Sequence, residues 1–267
     1  MTWQALLTDD GSWTLRHGPS GATCHSTAGA WTQACERYIA PCRLAELGAE
    51  PRVVRLLDIG TGLGLNLAAA FDALEPTRAQ LEVLSLEFDP AAIEAGLELG
   101  PWPEPAARAL ARVRPALASA VHARDEQRVE LPSRHDGSAR GGLRVWLGDA
   151  RQRGAELARE RFDAVFLDPF APRDAPQLWE APFLRHVALA MAPHAILSTY
   201  SASLEVRARL AAAGLRVGLG PRVGRKAQGT LASFTAPLPE LHPRLQRRIA
   251  SRGAARRVRP DAPPGAA

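Results

Sequence analysis

Four largely apolar segments, each running into a carboxylate, constrain the fold of this chain more than any other feature of its sequence. They span residues 53–57, 81–86, 143–147 and 163–167, and the acids that follow them are Asp58, Glu87, Asp149 and Asp168. Helical patterns lie between and after them, near 90–99, 150–160, 176–191 and 204–213. This alternation predicts an α/β fold with a mostly parallel sheet covered by helices on both faces. Because parallel strands end at one edge of a sheet, the acids are expected to form a negative rim where ligands bind.

The first segment opens into a glycine loop. Gly60, Gly62 and Gly64 follow the pattern G-x-G-x-G and precede an alanine-rich helical stretch. Glycine lets the backbone approach a ligand closely, because it has no side chain. The dinucleotide fingerprint is G-x-G-x-x-G, and a phosphate-binding loop needs a Lys-Ser/Thr pair that this loop lacks. The loop therefore argues against NAD and against a nucleotide phosphate.

The second strand-end acid, Glu87, lies about the usual distance from the glycine loop for binding a ribose diol. The third, Asp149, could pair with the exocyclic amine of an adenine. A negative rim without a phosphate cradle favours a cationic adenosine derivative, and S-adenosylmethionine is the obvious one. The alternative is that these acids cap the helices that follow them. The predicted cofactor-binding residues are Asp58, Gly60, Gly62, Gly64, Asn66, Glu87, Asp149 and Ala150.

The fourth segment ends in Asp168-Pro169-Phe170-Ala171-Pro172, where a strand-end carboxylate meets a loop stiffened by two prolines. An acid followed by fixed backbone and an aromatic ring is typical of a shaped reaction site at the mouth of a sheet. An ordinary strand-to-helix turn uses the same residue types. Asp168 is the candidate catalytic residue.

Several motifs between residues 26 and 233 share the pattern of one family. They are the loop at 58–66, F-L-D-P-F-A-P at 166–172 with Trp179 after it, G-R-K at 224–226, and H-S-T-A-G-A at 25–30 leading into E-R-Y-I at 36–39. With these motifs the chain resembles the methyltransferase domain of the bacterial enzymes that complete 5-methylaminomethyl-2-thiouridine at the wobble position of tRNA. The loop motif is shared by very many methyltransferases, whereas the stretch at 166–172 is far more specific.

The resemblance implies a Rossmann-like class I methyltransferase fold, with a mostly parallel seven-stranded sheet and an N-terminal hairpin and helix extension. It also implies S-adenosylmethionine-dependent N-methylation of the 5-aminomethyl group of the wobble uridine, with tRNA as the partner. Asp168 would accept a hydrogen bond from the amine and stabilise the charge that develops on nitrogen, and whether it also takes the proton stays open. Phe170 and Trp179 could stack on the base or pack in the core. The predicted substrate-binding residues are Pro169, Phe170, Trp179, Tyr200, Arg225 and Lys226.

Two residues depart from the family pattern. The family usually has glycine where this chain has Pro169, and phenylalanine where it has Tyr200. Proline has no N–H donor and a fixed φ angle, so Pro169 is expected to reshape the substrate pocket.

Two other functions share features of this sequence. An aminopropyltransferase of the spermidine synthase type has the same sheet, an N-terminal hairpin, acidic strand ends and an amine nucleophile. Such enzymes hold a dicationic polyamine with two nearby acids, whereas the loop after Asp168 favours a planar ring, although Asp174 weakens that contrast. A non-catalytic RNA-binding protein could also retain this fold, but the intact glycines and the four acids argue against it.

The composition predicts an enzyme without membrane or metal components. The chain has 267 residues, 46% of them hydrophobic, which is enough for one substantial core. No apolar run approaches bilayer length and the start lacks a signal-peptide pattern, so a cytoplasmic location is expected. Cys24, Cys35 and Cys42 have no C-x-x-C spacing, which predicts neither a disulfide nor a zinc site. With this single glycine loop, neither a flavin oxidase domain nor bound FAD is predicted.

Positive charge is unevenly distributed, although the net charge is only +5. Lys226 is the only lysine, and it forms a basic group with Arg222 and Arg225 in a predicted loop. The group is a candidate contact for an RNA backbone, with a solvated surface loop as the alternative.

The predicted organisation has three parts. Residues 1–50 form an N-terminal extension, residues 51–236 form the methyltransferase core, and residues 237–267 form a basic tail. The tail has few core residues and many arginines, which predicts a frayed helix followed by disorder.

Local patterns add detail to these parts. The extension is predicted to hold a hairpin over residues 3–17 and a helix over 28–47. A surface insertion is predicted at about 100–142, with a helix over 104–113 and a polar stretch around 133–137.

Overall fold

A computed structural model describes residues 3–123, 126–132, 139–224 and 228–257. The strands in this part of the chain are β1 Trp3–Leu7, β2 Trp13–His17, β3 Val53–Ile59, β4 Gln80–Glu87, β5 Gln127–Pro132, β6 Ala139–Leu147, β7 Phe162–Leu167, β8 Met191–Thr199, β9 Arg216–Leu219 and β10 Thr230–Ser233. The α-helices are α1 Ala30–Gln33, α2 Leu44–Leu47, α3 Leu65–Leu74, α4 Pro90–Leu97, α5 Ala106–Ala123, α6 Gly154–Leu157, α7 Ala181–Leu189, α8 Leu204–Ala212 and α9 Pro243–Arg257.

The central sheet has the strand order β5-β6-β4-β3-β7-β8-β10-β9, and β1 and β2 pair separately as a hairpin. The five strands from β6 to β8 run parallel, whereas β5 and β10 pair antiparallel with their neighbours. The predicted Rossmann-like α/β fold is confirmed. The chain moves outward from β3 in one direction through β4 and β6, then in the other through β7 and β8. The carboxyl ends of β3 and β7 therefore flank the crevice where such sheets bind ligands.

The described sheet has one strand more than the seven predicted. Strand β5 reads Q-R-V-E-L-P and lies inside the predicted insertion. Its polar residues interrupt the apolar run by which the other strands were predicted. It pairs with β6 at the edge of the sheet.

The region predicted as a surface insertion contributes to the core. Helix α5 is longer than the predicted helix at 104–113 and buries side chains such as Val113 and Leu117 beside α3. Pro115 lies inside α5 and breaks the helical pattern in the sequence, which explains the short prediction. The polar stretch predicted at 133–137 lies outside the described residues.

The N-terminal extension packs its helical part against the core. The hairpin is present, but the single helix predicted over 28–47 is divided into α1, a π-helical segment Ala34–Ile39 and α2. Arg43, just before α2, has a left-handed φ of 55°. The π-helical segment buries two adjacent polar side chains, Arg37 and Tyr38, toward the sheet. π-helical turns are often found at functional sites.

Asp10 ties the turn of the hairpin to the first helix. Its Oδ1 accepts hydrogen bonds from Thr8 Oγ1 at 2.8 Å and from Ser12 N at 3.0 Å. Its Oδ2 accepts from Thr32 N at 2.9 Å and Thr32 Oγ1 at 2.8 Å. Burial raises the pKa of Asp10, but the hydrogen bonds from Ser12 and Thr32 outweigh it and lower the pKa from 3.8 to about 2.

Replacement of this carboxylate, Asp10→Asn, is expected to lower the free energy of unfolding by about 1 kcal/mol near neutral pH, because it removes hydrogen bonds to a charged group. The pKa of Asp10 is lower in the folded protein than in the unfolded protein, so the ionised carboxylate stabilises the fold at pH values above the unfolded pKa. This contribution is lost as the pH falls toward about 2. Urea unfolding of both proteins as the pH is lowered should therefore show a shrinking difference. Asp9→Asn, at the exposed neighbouring carboxylate, is the matched control; an equal loss in that variant would contradict the role of Asp10.

The region after residue 237 is ordered as far as the structure describes it. Leu241 and, in α9, Ile249 are buried, and α9 packs against α8. A helix was predicted here, but the structure shows it docked rather than frayed. The predicted disorder beyond residue 257 lies outside the described residues.

Within the described part of the chain, the helices are too short or too polar to cross a bilayer.

Candidate active site

One cavity of about 510 Å³ opens at the carboxyl edge of the sheet. Its floor comes from the ends of β3, β4, β6 and β7, and the segment 21–25 after β2 contributes a wall. Among the predicted site residues, those that line it are Gly60, Gly62, Glu87, Asp149, Ala150, Asp168, Pro169, Phe170 and Tyr200.

The glycine loop forms one side of the cavity. Gly60 and Gly62 have positive φ angles of 98° and 50°. A Cβ atom on Gly60 would lie 2.6 Å from the carbonyl oxygen of Asp168, so the loop lies against the end of β7. A Cβ on Gly62 would meet no atom within 4 Å. Gly62 therefore leaves room that a ligand in the cavity can use. Gly64 instead faces the side chain of Leu117 and allows α5 to pack closely.

Glu87 links the glycine loop to the end of β4. Its Oε2 accepts a hydrogen bond from Gly62 N at 2.8 Å, and its Oε1 accepts one from Asp89 N at 2.9 Å. Burial raises the pKa of Glu87, while these amide hydrogen bonds oppose the rise. A carboxylate oxygen can accept more than one hydrogen bond. Glu87 can thus hold the loop and still receive hydroxyl groups of a ligand.

Asp58 lies behind the loop rather than in the cavity. It is fully buried, and its Oδ2 accepts a hydrogen bond from Ser85 Oγ at 2.6 Å. Ser85 Oγ is in turn 2.6 Å from Thr61 Oγ1. Burial raises the pKa of Asp58. Asp58 therefore does not line the cavity, and its hydrogen bonds connect β3 through Ser85 to Thr61 of the glycine loop.

Asp149 lies at the cavity and also caps the turn that follows it. It lines the cavity beside Ala150 and also accepts a hydrogen bond from Arg151 N at 3.0 Å, capping the short 3₁₀ turn Ala150–Arg153. The Arg151 side chain binds both carboxylate oxygens and lowers the pKa of Asp149.

Asp168 is held at the end of β7 by buried polar groups. Asn66, buried at the start of α3, donates from Nδ2 to Asp168 Oδ2 at 3.0 Å. Tyr38 of the π-helical segment is fully buried, and its pKa is raised first by burial and then by the neighbouring Asp168 carboxylate. Asn66 therefore positions the candidate catalytic acid instead of lining the cavity. Tyr38 was missed because its position depends on the π-helical turn, although the motif at 36–39 contains it.

The loop after Asp168 is fixed by two aromatic residues. Tyr200 donates from its hydroxyl to the carbonyl oxygen of Pro169 at 2.8 Å, so the two departures from the family pattern touch each other. Trp179 donates from Nε1 to the carbonyl oxygen of Phe170 at 2.8 Å and is fully buried. Of the two roles considered for Trp179, the structure gives it core packing beneath the loop. Phe170 and Tyr200 line the cavity.

The basic group at 222–226 lies partly beyond the described residues, because Arg225 and Lys226 fall outside them. Arg222 is exposed. Two buried arginines of the core bind the backbone on either side of this group. Arg37 Nη1 donates to Pro221 O at 2.7 Å, and Arg207 Nη2 donates to Gly229 O at 2.9 Å.

The fold and the cavity define the class of protein. Residues 116–235 match the family described as S-adenosyl-L-methionine-dependent methyltransferase, and the sheet order, glycine loop and acidic strand ends agree with that class. The structure is similar to the crystal structure of MnmC2 from Aquifex aeolicus, with a TM-score of 0.77 and 32% sequence identity, over 93% of this chain and 76% of that chain. The chain therefore belongs to the MnmC2 family of methyltransferases.

Two curated relatives are longer proteins that share this region. The tRNA 5-methylaminomethyl-2-thiouridine biosynthesis bifunctional protein MnmC of Azoarcus sp. (strain BH72) is 36% identical over 214 residues, which is 78% of this chain and 32% of that protein. The protein of the same name from Cupriavidus necator is 32% identical over 222 residues, with coverage of 79% and 31%. The chain spans about a third of the length of these relatives.

The cavity fits S-adenosylmethionine, the cofactor of this class. Its volume of about 510 Å³ lies within the usual range for small-molecule sites. The open space beside Gly62 would be filled by any side chain, and the nearby Glu87 carboxylate can accept hydroxyl donors. The glycine loop and the acidic rim therefore match a cationic nucleoside without a phosphate.

Proposed function

We propose that this chain transfers the methyl group of S-adenosylmethionine to the nitrogen of a 5-aminomethyl group on the wobble uridine of tRNA. The observation that carries the proposal is the position of Asp168, a carboxylate in the cavity wall, fixed by Asn66 and adjoining the glycine loop. The MnmC relatives are named for the biosynthesis of 5-methylaminomethyl-2-thiouridine in tRNA, which supports the choice of tRNA substrate. A tRNA substrate agrees with the cytoplasmic location predicted from the sequence.

Binding of the cofactor is assigned to the residues that line the cavity near β3, β4 and β6. Gly60 and Gly62 allow close approach of the backbone, and Glu87 would accept hydrogen bonds from the ribose hydroxyls. Asp149 and Ala150 line the cavity after β6 and would border the adenine. The buried residues Asp58, Gly64 and Asn66 act behind the cavity, by holding the loop and Asp168 in position.

The chain's part in catalysis is alignment, charge stabilisation and exclusion of water. S-adenosylmethionine would supply an electrophilic methyl group: its bond to the positively charged sulfur breaks as the bond to the amine nitrogen forms, and S-adenosylhomocysteine leaves. The methylated ammonium then gives up a proton to Asp168 or to water. Asp168 accepts a hydrogen bond from the neutral amine and so directs its lone pair into the cavity. The negative charge of Asp168 stabilises the positive charge that develops on the amine nitrogen. Pro169, Phe170 and Tyr200 form the wall that surrounds the substrate on the same side.

Contacts to the RNA backbone are assigned to exposed arginines. Arg222 is exposed, and Arg225 and Lys226 follow it in the sequence. The backbone at Pro221 and Gly229, on either side of these residues, is fixed by Arg37 and Arg207. Helix α9 adds the exposed side chains of Arg244, Arg247 and Arg248. Arginine binds phosphate groups through two parallel hydrogen bonds, and such contacts add affinity without base specificity.

The proposal is tested by incubating the purified protein with S-adenosylmethionine and tRNA that carries 5-aminomethyl-2-thiouridine. Mass spectrometry of the digested nucleosides should show the gain of one methyl group on the wobble nucleoside. A parallel reaction with putrescine and decarboxylated S-adenosylmethionine tests aminopropyl transfer. Spermidine there, without methylation of the tRNA, would overturn the proposal.

A further inference from the structure

Three aromatic rings from distant parts of the chain meet at one wall of the cavity. Trp3 belongs to β1, His17 ends β2, and Phe170 follows the candidate catalytic Asp168 by two residues. The rings of Trp3 and Phe170 are stacked, with centroids 5.8 Å apart and an interplanar angle of 17°. The His17 ring lies 5.1 Å from Trp3 and 5.8 Å from Phe170. All three side chains line the cavity, and we call them the aromatic wall.

Hydrogen bonds hold the aromatic wall in place. Trp3 donates from Nε1 to Asp89 Oδ2 at 3.1 Å, which ties the hairpin to the loop after β4. His17 Nδ1 lies 2.8 Å from Ser20 Oγ, and the carbonyl oxygen of Phe170 accepts from Trp179. Each ring of the wall remains partly exposed. The wall therefore offers fixed aromatic surface to the cavity at little further cost in conformational entropy.

We propose that the aromatic wall is the stacking surface for the uracil ring of the target nucleotide, an inference that rests on the proposed function. A base taken out of its stack loses contacts with its neighbours, and enzymes that act on such a base commonly replace them with aromatic side chains. The wall contains Phe170, so a ring stacked there keeps its 5-substituent near Asp168 in the same loop. The hairpin thereby becomes part of the substrate site.

The test compares the wall with a tryptophan of the same hairpin. Trp3→Leu removes the aromatic surface, whereas Trp3→Phe retains a ring and controls for packing. Trp13→Leu is the matched control, because the Trp13 indole donates to Pro101 O at 2.9 Å instead of facing the wall. The readouts are kcat and KM for tRNA, the Kd for S-adenosylmethionine, and the Kd for an anticodon stem-loop RNA with saturating S-adenosylhomocysteine.

Trp3→Leu is expected to raise the KM for tRNA and the Kd for the stem-loop by about tenfold or more, the scale of one lost stacking contact. The Kd for S-adenosylmethionine should change by less than about twofold, and Trp13→Leu should stay near wild type on every measure. Trp3→Phe keeps a ring but loses the donor to Asp89, so its RNA affinity should lie between those of Trp3→Leu and the wild type. His17→Leu should weaken RNA binding in the same direction as Trp3→Leu.

The outcomes separate this inference from the proposed function. If the wild type methylates the tRNA and Trp3→Leu keeps its KM, the stacking role is overturned while the function stands. A weaker Kd for S-adenosylmethionine with unchanged RNA binding would assign the wall to the cofactor and also overturn it. If the wild type fails to methylate but binds the stem-loop in a Trp3-dependent way, the function falls and the stacking surface stands. Absence of both activities overturns both.

Discussion

Replacement of the candidate catalytic acid, Asp168→Ala, is expected to lower kcat by about a thousandfold or more, within the range for loss of a group that acts on a proton or a developing charge. The carboxylate lies in the cavity wall, and Asn66 fixes one of its oxygens at 3.0 Å. The amine would lose both its hydrogen-bond acceptor and the negative charge that stabilises it. The affinity for S-adenosylmethionine should change by less than about threefold, because the proposed contact of Asp168 is with the amine of the substrate and not with the cofactor. Single-turnover methyl transfer and calorimetry measure the two quantities.

Two further variants sharpen the Asp168 experiment. Asp168→Asn keeps the size of the side chain and removes its charge, so a similar loss would identify the charge as the cause. Asp174→Asn changes an acid of the same loop that is paired with Arg173, and it should reduce kcat only slightly. Near-normal turnover of Asp168→Ala would remove Asp168 from the mechanism. Equal losses at Asp168 and Asp174 would instead favour a site for a dicationic amine.

The second large effect is expected for Gly62→Val, which should weaken S-adenosylmethionine binding by about a hundredfold or more. Gly62 has a positive φ of 50°, which costs a branched residue energy, and its Cβ would point into open space of the cavity. The valine side chain would therefore occupy ligand volume. It would also disturb the hydrogen bond from Gly62 N to Glu87, which is the proposed ribose contact. Calorimetric titration with S-adenosylmethionine measures the loss.

Gly11→Val is the control for backbone strain in that experiment. Gly11 also has a positive φ, 77°, and the nearest atom to an added Cβ belongs to Pro103 at 3.9 Å. The residue lies in the hairpin turn, so this variant should lose stability without losing cofactor affinity. Unchanged affinity in Gly62→Val would move the cofactor away from the glycine loop.

The fold was predictable where the sequence pattern is local and strong. The apolar strands, the acids at their ends and the intervening helices all appear in the structure, because a buried parallel sheet requires continuous apolar runs. The prediction was wrong at 100–142, where Pro115 interrupts the pattern of α5 and the edge strand β5 is partly polar. In both cases contacts with the rest of the protein outweigh the local sequence signal.

The candidate site was predictable only in part, because the sequence does not show which way a strand-end side chain points. Asp58 and Glu87 were both predicted at strand ends, but the register of β3 and β4 aligns Asp58 with Ser85 and places Glu87 two residues further along. Glu87 therefore reaches the cavity, whereas Asp58 is buried against Ser85. The residues that sequence reasoning missed, Trp3, His17 and Tyr38, come from the N-terminal extension. Only tertiary packing brings Trp3 and His17 to the cavity and Tyr38 close to Asp168, and their roles stay predictions.

The contact between Tyr200 and Pro169 limits which side chains position 200 can accept. The hydroxyl of Tyr200 donates a hydrogen bond to the carbonyl oxygen of Pro169, which is a buried residue. This bond helps to fix the loop after Asp168. Loss of the donor alone would leave that carbonyl without its partner, at a cost of about 1 to 3 kcal/mol. Every residue at position 169 has this carbonyl, so the hydrogen bond constrains the backbone path of the loop and does not depend on the proline ring. Position 200 is therefore a donor position that the loop uses whichever residue follows Asp168.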